Sequence, residues 1–251
     1  MSDVKSTGIV RSLENGVQTL RFDRPDKKNA ITGEMYTALA DALEQGNSDD
    51  AVRCHLLCGH PGAFTAGNDI PDFLNHAKSG GLGEAPVVRF LKALTLNEKP
   101  IVAAVDGLAI GVGTTLLMHC DMVFATPGSL FKSPFVDLGL VPEAGSSLLG
   151  PALMGHVRAF ELLCLGEAFN CEQAEKAGLI NRIVEGDVEE AARACASSIA
   201  KKPPEAMRLS RQLLKGDKAV LLSRVEKEIA LFAERLKSPE AIAAFQAFMA
   251  R

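Results

Sequence analysis

The chain has 251 residues, of which 47% are hydrophobic and 23% charged, and its net charge is −4. That composition fits one large globular domain, or a domain with an appendage; with no Lys/Arg block and no basic-aromatic interleaving it excludes nucleic acid as a partner. The six cysteines (Cys54, Cys58, Cys120, Cys164, Cys171, Cys195) form no CxxC pair and show no zinc-ligand spacing, so they read as free thiols in a reducing compartment with no metal site.

Residues 8–23 alternate about Glu14-Asn15-Gly16 and predict two short strands joined by a tight turn. The loop Asp23-Arg24-Pro25-Asp26-Lys27-Lys28-Asn29-Ala30 holds three cations, which read either as a solvated turn or as contacts to an anionic ligand. Thr32 can cap a helix whose apolar residues are Met35, Leu39, Ala42 and Leu43. A strand over 52–58 leads into Gly59-His60-Pro61-Gly62-Ala63-Phe64-Thr65-Ala66-Gly67-Asn68-Asp69-Ile70, whose small residues let backbone approach a ligand. Residues 71–86 lack periodicity and contain Gly80-Gly81-Leu82-Gly83, so a loop or lid is expected there.

A helix over 87–96 delivers the chain to an apolar strand, Ile101-Val102-Ala103-Ala104-Val105. A turn through Gly107, Gly111 and Gly113 and an apolar helix follow. Helices are expected over 146–153 and 156–165, broken at Gly150-Pro151 and Gly155, then over 172–177 ending at Gly178, before a strand over 179–184. From 188 onward only helices are predicted: 188–200, 203–215, 219–236 and a short one from Pro239. Their apolar faces need the core or a neighbouring subunit. The division expected is 1–187 and 188–251. No apolar run reaches the ~18 residues of a membrane span. Neither Met1-Ser2-Asp3-Val4-Lys5 nor Met249-Ala250-Arg251 reads as a signal peptide or peroxisomal address, so a cytoplasmic location is expected.

The glycine turn at 107–113 has the wrong order for a dinucleotide site, and neither a Walker loop nor a GxSxG elbow occurs. His55 and His119 lie in apolar runs and read as core residues. What remains is two glycine-containing turns, 44 positions apart at Asn68 and Val112, each ending an apolar strand. Two main-chain N–H groups from separate turns can converge on one oxygen, and each such donor is worth roughly 2.7–4 kcal/mol of barrier.

Phe64-Thr65-Ala66-Gly67-Asn68-Asp69-Ile70, the stretch from Ile101 through Ala103-Ala104-Val105-Asp106-Gly107 and Gly111-Val112-Gly113 to Cys120-Asp121, and the Arg24-to-Ala30 loop together resemble three motifs of the crotonase (enoyl-CoA hydratase/isomerase) superfamily. The resemblance implies an α/β fold, a ClpP-like spiral of ββα units with a C-terminal all-helical trimerisation region, and an acyl-CoA thioester as substrate. It implies no metal, no cofactor beyond the coenzyme A of the substrate, and a homotrimer or dimer of trimers. The oxyanion donors would be the N–H groups of Asn68 and Val112. Arg24, Lys27 and Lys28 are candidates for the CoA phosphates, and Ala30, Ala66, Gly67, Asp69, Ile70, Gly111 and Phe135 for the surrounding substrate site.

The family's hydratases place two glutamates where this chain has Thr115 and Phe135. Glu143, in Leu138-Gly139-Leu140-Val141-Pro142-Glu143-Ala144-Gly145, instead resembles the lone catalytic glutamate of the peroxisomal-type Δ3,Δ2-enoyl-CoA isomerases of fatty acid metabolism. The resemblance therefore implies an isomerase in which one carboxylate shuttles a proton. The alternatives are a crotonase-fold hydratase or acyl-CoA hydrolase using Asp137 or a water held by Glu143, and a non-catalytic acyl-CoA-binding relative. Asp137 and Asp72 are the competing acids.

Overall fold

The computed structural model describes residues 4–6, 8–79, 83 and 85–249, and the backbone alone for 4–6 and 76–79. The chain opens with β1 (Val4–Ser6), β2 (Ile9–Glu14) and β3 (Val17–Phe22), antiparallel in that order. Asn15 and Gly16 both take positive φ, 50° and 81°, the backbone a two-residue hairpin needs to follow the strand twist. After α1 (Gly33–Ser48), capped by Thr32 Oγ1 accepting from Met35 N, the chain enters a repeating pattern.

Three times a strand joins the large sheet and the next strand leaves it for a smaller one. The pairs are β4 (Cys54–Cys58) with β5 (Ala63–Thr65), β6 (Ile101–Val105) with β7 (Leu108–Ile110), and β8 (Met122–Ala125) with β9 (Leu130–Lys132). β3, β4, β6 and β8 run parallel in one sheet, and β5, β7 and β9 run parallel in the other. Each turn of the spiral thus adds one strand to each layer. Between the first two pairs lie α2 (Ile70–Ser79) and α3 (Pro86–Leu96).

After β7 come α4 (Val112–Thr115) and a 3-10 turn, Leu116–His119. Following β9 are α5 (Ser146–Met154), α6 (His156–Leu163), β10 (Phe169–Asn170), α7 (Cys171–Lys176) and β11 (Arg182–Ile183); the helices α8 (Val188–Ala200), α9 (Pro204–Lys215), α10 (Lys218–Leu236) and α11 (Pro239–Met249) complete the chain.

β6 is apolar at every position because both its faces are covered. Ile101, Ala103 and Val105 point into the main core, whereas Val102 and Ala104 pack with Val188, Ala192 and Ala196 of α8. α9 buries no residue and is fastened instead by Arg211, whose guanidinium bonds Asp121 and the Asn97 carbonyl.

Two sequence expectations are corrected. Residues 70–79 form a helix, not a loop, with Ile70, Phe73 and Leu74 at helical spacing against the core; residues 80–82 and 84 lie outside the described set. Gly150-Pro151 does not interrupt α5, which runs on to Gly155. The Ser147 carbonyl, deprived of an N–H by Pro151, faces Arg224 Nη1 at 3.5 Å. Among the described residues no helix is long and apolar enough to cross a membrane, and no cluster of His, Cys, Asp and Glu suits a metal ion.

Candidate active site

The N-terminal loop is laid against β5 by Asn29. This buried residue, at φ 56°, accepts from Arg24 N and donates to the carbonyls of Ala63 and Phe64. Ala66 N donates to the Lys28 carbonyl, and Thr65 Oγ1 donates to the Asn29 carbonyl at 2.7 Å. Ile31 then bridges in parallel to Asn68, its N–H bonding Gly67 O and its carbonyl accepting from Asp69 N. In a parallel bridge the facing residue turns its own N–H the other way, so the Asn68 N–H is directed away from Ile31.

The second turn supplies its donor by a different route. Val112 is the first residue of α4, so its N–H has no intrahelical acceptor. Gly111 makes this entry with φ 58° and ψ −120°, a conformation that favours glycine. The two turns touch. A Cβ on Gly67, whose φ is 87°, would lie 2.7 Å from the Ile110 carbonyl oxygen, and one on Gly113 would lie 2.5 Å from Thr65 Cγ2. Glycine at both places lets the two backbones close on each other, bringing Asn68 and Val112 to the wall of one cavity.

That cavity has a volume of about 500 Å³ and its lining includes Arg24, Lys27, Ala30, Ala66, Gly67 and Asn68. Asp69, Ile70, Gly111, Val112 and Phe135 also border it, so residues of the three motifs meet at this one cavity. Lys28 does not border it and is exposed. The Arg24 guanidinium is committed to Asp69 at 2.7 Å and to the Ala30 carbonyl at 3.0 Å. That pair holds the Asp69 carboxyl below the usual carboxylate range against the opposing effect of burial. The far wall is aromatic: Phe73, Phe232, Phe245 and Phe248, with Phe232 edge-on to both Phe73 and Phe135.

Behind Asn68, Phe73 and Phe232 lies a recess of about 20 Å³, and Glu143 borders it with Val87, Val88, Leu91 and Ile229. Glu143 is only 7% exposed. Its Oε1 accepts a 2.5 Å hydrogen bond from Thr115 Oγ1. Burial pushes its proton affinity up to about 8; the Thr115 hydrogen bond opposes this and the nearby Glu228 charge adds to it. A carboxyl so placed holds a proton near neutral pH and is a strong base once it loses it. Asp137 is exposed, 3.9 Å from Lys132 Nζ, and borders neither space; Asp72 accepts from Gly33 N at the start of α1.

Sequence reasoning missed three contributors. Tyr36, the one tyrosine of the chain, is buried and donates to Asn68 Oδ1 at 2.5 Å. Thr115, read only as a missing acid, is the hydroxyl that holds Glu143. Glu228 reaches the Glu143 turn from α10, signalled in sequence by an acid on an otherwise apolar helical stripe.

A two-layer ββα spiral whose successive glycine turns close on one cavity defines the crotonase fold. The chain belongs to the Enoyl-CoA hydratase/isomerase family, which it matches over residues 12–250. It is 35% identical to enoyl-CoA delta isomerase 2 of Rattus norvegicus, an alignment covering 98% of this chain and 64% of that longer protein. It is also 35% identical to 1,2-epoxyphenylacetyl-CoA isomerase of Escherichia coli K12, over 82% of this chain and 81% of that one. Among solved structures, OdaA of Pseudomonas aeruginosa superposes with a TM-score of 0.93 at 46% identity, covering 98% of this chain and 100% of its own.

Proposed function

We propose that the protein is a Δ3,Δ2-enoyl-CoA isomerase. The observation that carries this reading is Glu143, the one carboxyl among the residues that line the recess behind Asn68, with the Thr115 hydroxyl rather than a second acid bonded to it. The thioester carbonyl sits between the N–H groups of Asn68 and Val112. Ionised Glu143 takes a proton from C2 of a 3-enoyl thioester. The pair of electrons released delocalises through the C3–C4 double bond and the carbonyl, and the two N–H groups carry the resulting negative charge. Glu143 returns the proton to C4, leaving the double bond at C2.

A hydratase divides the activation of water and the protonation of carbon between two acid-base groups. Here Thr115 has no acid to offer and Phe135 is apolar. Asp137, the other candidate, is not among the residues that line the cavity, and Asp69, which lines it, is bound to Arg24, which leaves a water on Glu143 for the hydratase and hydrolase alternatives. Lys27, exposed and lining the cavity, supplies positive charge for the CoA phosphates, whereas the charge of Arg24 is shared with Asp69. The enoyl-CoA delta isomerase among the relatives supports the same assignment. The helical tail we assign to subunit contact, as a homotrimer or a dimer of trimers in the cytoplasm.

The test is substrate choice. Offered 3-hexenoyl-CoA and crotonyl-CoA in turn, the protein is expected to convert the first to the 2-trans isomer and leave the second unhydrated. Hydration of crotonyl-CoA at a comparable rate would contradict the reading, and binding without turnover of either ester would make the protein a non-catalytic relative.

A further inference from the structure

The apolar stripe of α10 is interrupted by one charged residue. Leu221, Val225 and Phe232 recur at helical spacing along the face that meets the core, and Glu228 stands on that same face, 4% exposed. A buried carboxylate in such a place needs partners, and this one has three. One oxygen accepts from Gly145 N at 2.6 Å; the other accepts from Ser147 N at 3.0 Å and Ser147 Oγ at 2.5 Å. Glu228 therefore caps the start of α5 from another helix, where α5's own first flanking residue, Gly145, has no side chain to do so.

The turn it caps is the one that carries Glu143. Ala144 and Gly145 both lie in the left-handed region, at φ 60° and 70°, and for alanine that costs about 1–2 kcal/mol. Something must hold it there. The Ala144 carbonyl receives the Nε2–H of His119 at 2.6 Å, and burial lowers the proton affinity of that imidazole to about 4, so it is a neutral donor. Thr115 holds Glu143, His119 holds Ala144 and Glu228 holds Gly145. The contact is tight from the α10 side as well: a Cβ on Gly145 would fall 2.6 Å from Leu221 Cδ1.

We propose that Glu228 is a positioning residue for Glu143: its carboxylate locks the Ala144-Gly145 turn that aims the Glu143 side chain. Its negative charge also favours the protonated form of that side chain. The inference rests on Glu143 being the group that moves the proton. The polar groups facing Glu143 are few. Among the described residues they are the Thr115 hydroxyl from α4, the buried Tyr36 hydroxyl from α1 with the Asn68 amide it bonds, and Glu228 from α10. α3 presents only Val87, Val88 and Leu91. Burial raises the pKa of Glu228, and the Ser147 and Gly145 donors and Arg224, which donates to Ser147 Oγ at 3.1 Å one turn before it, favour its ionised form, while Asp72 acts on Tyr36. Glu228 is thus the one carboxylate among the described groups that adds to the effect of burial at Glu143. The next turn of α10 after Glu228 carries Phe232, which lines the cavity, so a single helix touches both the acyl wall and the proton-moving turn.

The experiment is an infrared titration of the Glu143 carboxyl band, assigned by its loss in Glu143→Gln, alongside pH profiles for turnover of 3-hexenoyl-CoA. In Glu228→Gln the band is expected to titrate roughly one pH unit lower, with the acid limb of the rate profile moving with it. Its kcat should fall more than its KM changes. Glu228→Asp, which keeps the charge, should retain the wild-type midpoint. Ser147→Ala, which keeps the charge and deletes one partner, should lose roughly fivefold in kcat at an unchanged midpoint. A Glu143 band titrating in Glu228→Gln as in wild type would overturn the role of the charge. Unchanged kcat in Ser147→Ala would overturn the positioning role, and that arm stands even if Glu228→Gln does not fold. If Glu143→Gln turns over 3-hexenoyl-CoA normally, the isomerase reading fails, whereas a shifted Glu143 band in Glu228→Gln would still establish the link between the two carboxyls.

Discussion

Replacing Glu143 by glutamine should stabilise the protein at alkaline pH while removing its activity. The carboxyl is 7% exposed and its proton affinity is raised from 4.5 to about 8, chiefly by burial. A group whose folded value exceeds its unfolded value binds more protons in the folded state between the two. Stability therefore falls as pH rises from about 4.5 to about 8, and then levels off. At about 1.36 kcal/mol per unit, the full cost of ionising Glu143 in place is at most about 5 kcal/mol, and relaxation of the recess reduces it. Glutamine is uncharged and of the same shape, so the variant escapes this cost. Urea unfolding at pH 5, 7 and 9, at one protein concentration, reads the difference from the midpoint at constant slope. The expected result is near-equality at pH 5 and a variant more stable by several kcal/mol at pH 9. A difference that does not change with pH, or a variant less stable than wild type at pH 9, would refute the buried, proton-holding carboxyl. Such a gain on removal of a functional group is what an active site built at the expense of stability predicts.

Val112→Pro deletes the N–H at the first position of α4, where proline is accommodated; kcat is expected to fall about 10²–10³-fold with circular dichroism unchanged. Gly67→Ala forces a Cβ to within 2.7 Å of the Ile110 carbonyl at a positive φ, so it should lower stability by about 1–3 kcal/mol in thermal unfolding and separate the two turns, with loss of turnover. Leu213 and Leu214 at the end of α9 are 85% and 89% exposed; Leu214→Asp should reduce the molecular mass seen by light scattering if this tail joins subunits.

Much of the site was legible because it is made of backbone. Gly67 and Gly113 are where they are because no side chain fits between the turns, and Gly111 because its φ of 58° and ψ of −120° favour glycine; such glycines show in the sequence as motifs. The Asn15-Gly16 hairpin and the apolar run at 101–105 were legible for equally local reasons. The smaller sheet was not: β5, β7 and β9 are three residues each, too short for alternation to register, and they exist only because the larger sheet brings them together. α2 was hidden by the glycines that follow it. The partners of Tyr36, Thr115 and Glu228 lie 32, 28 and 81–83 positions away; an acid on an apolar stripe marks Glu228, but no local pattern says what any of the three meets.

The most direct measurement is turnover of 3-hexenoyl-CoA by Glu143→Gln, with binding of the CoA ester measured on the same protein. A single-carboxyl shuttle predicts a rate lower by about 10²–10⁴-fold at near-normal affinity. Turnover at the wild-type rate would show that another group moves the proton.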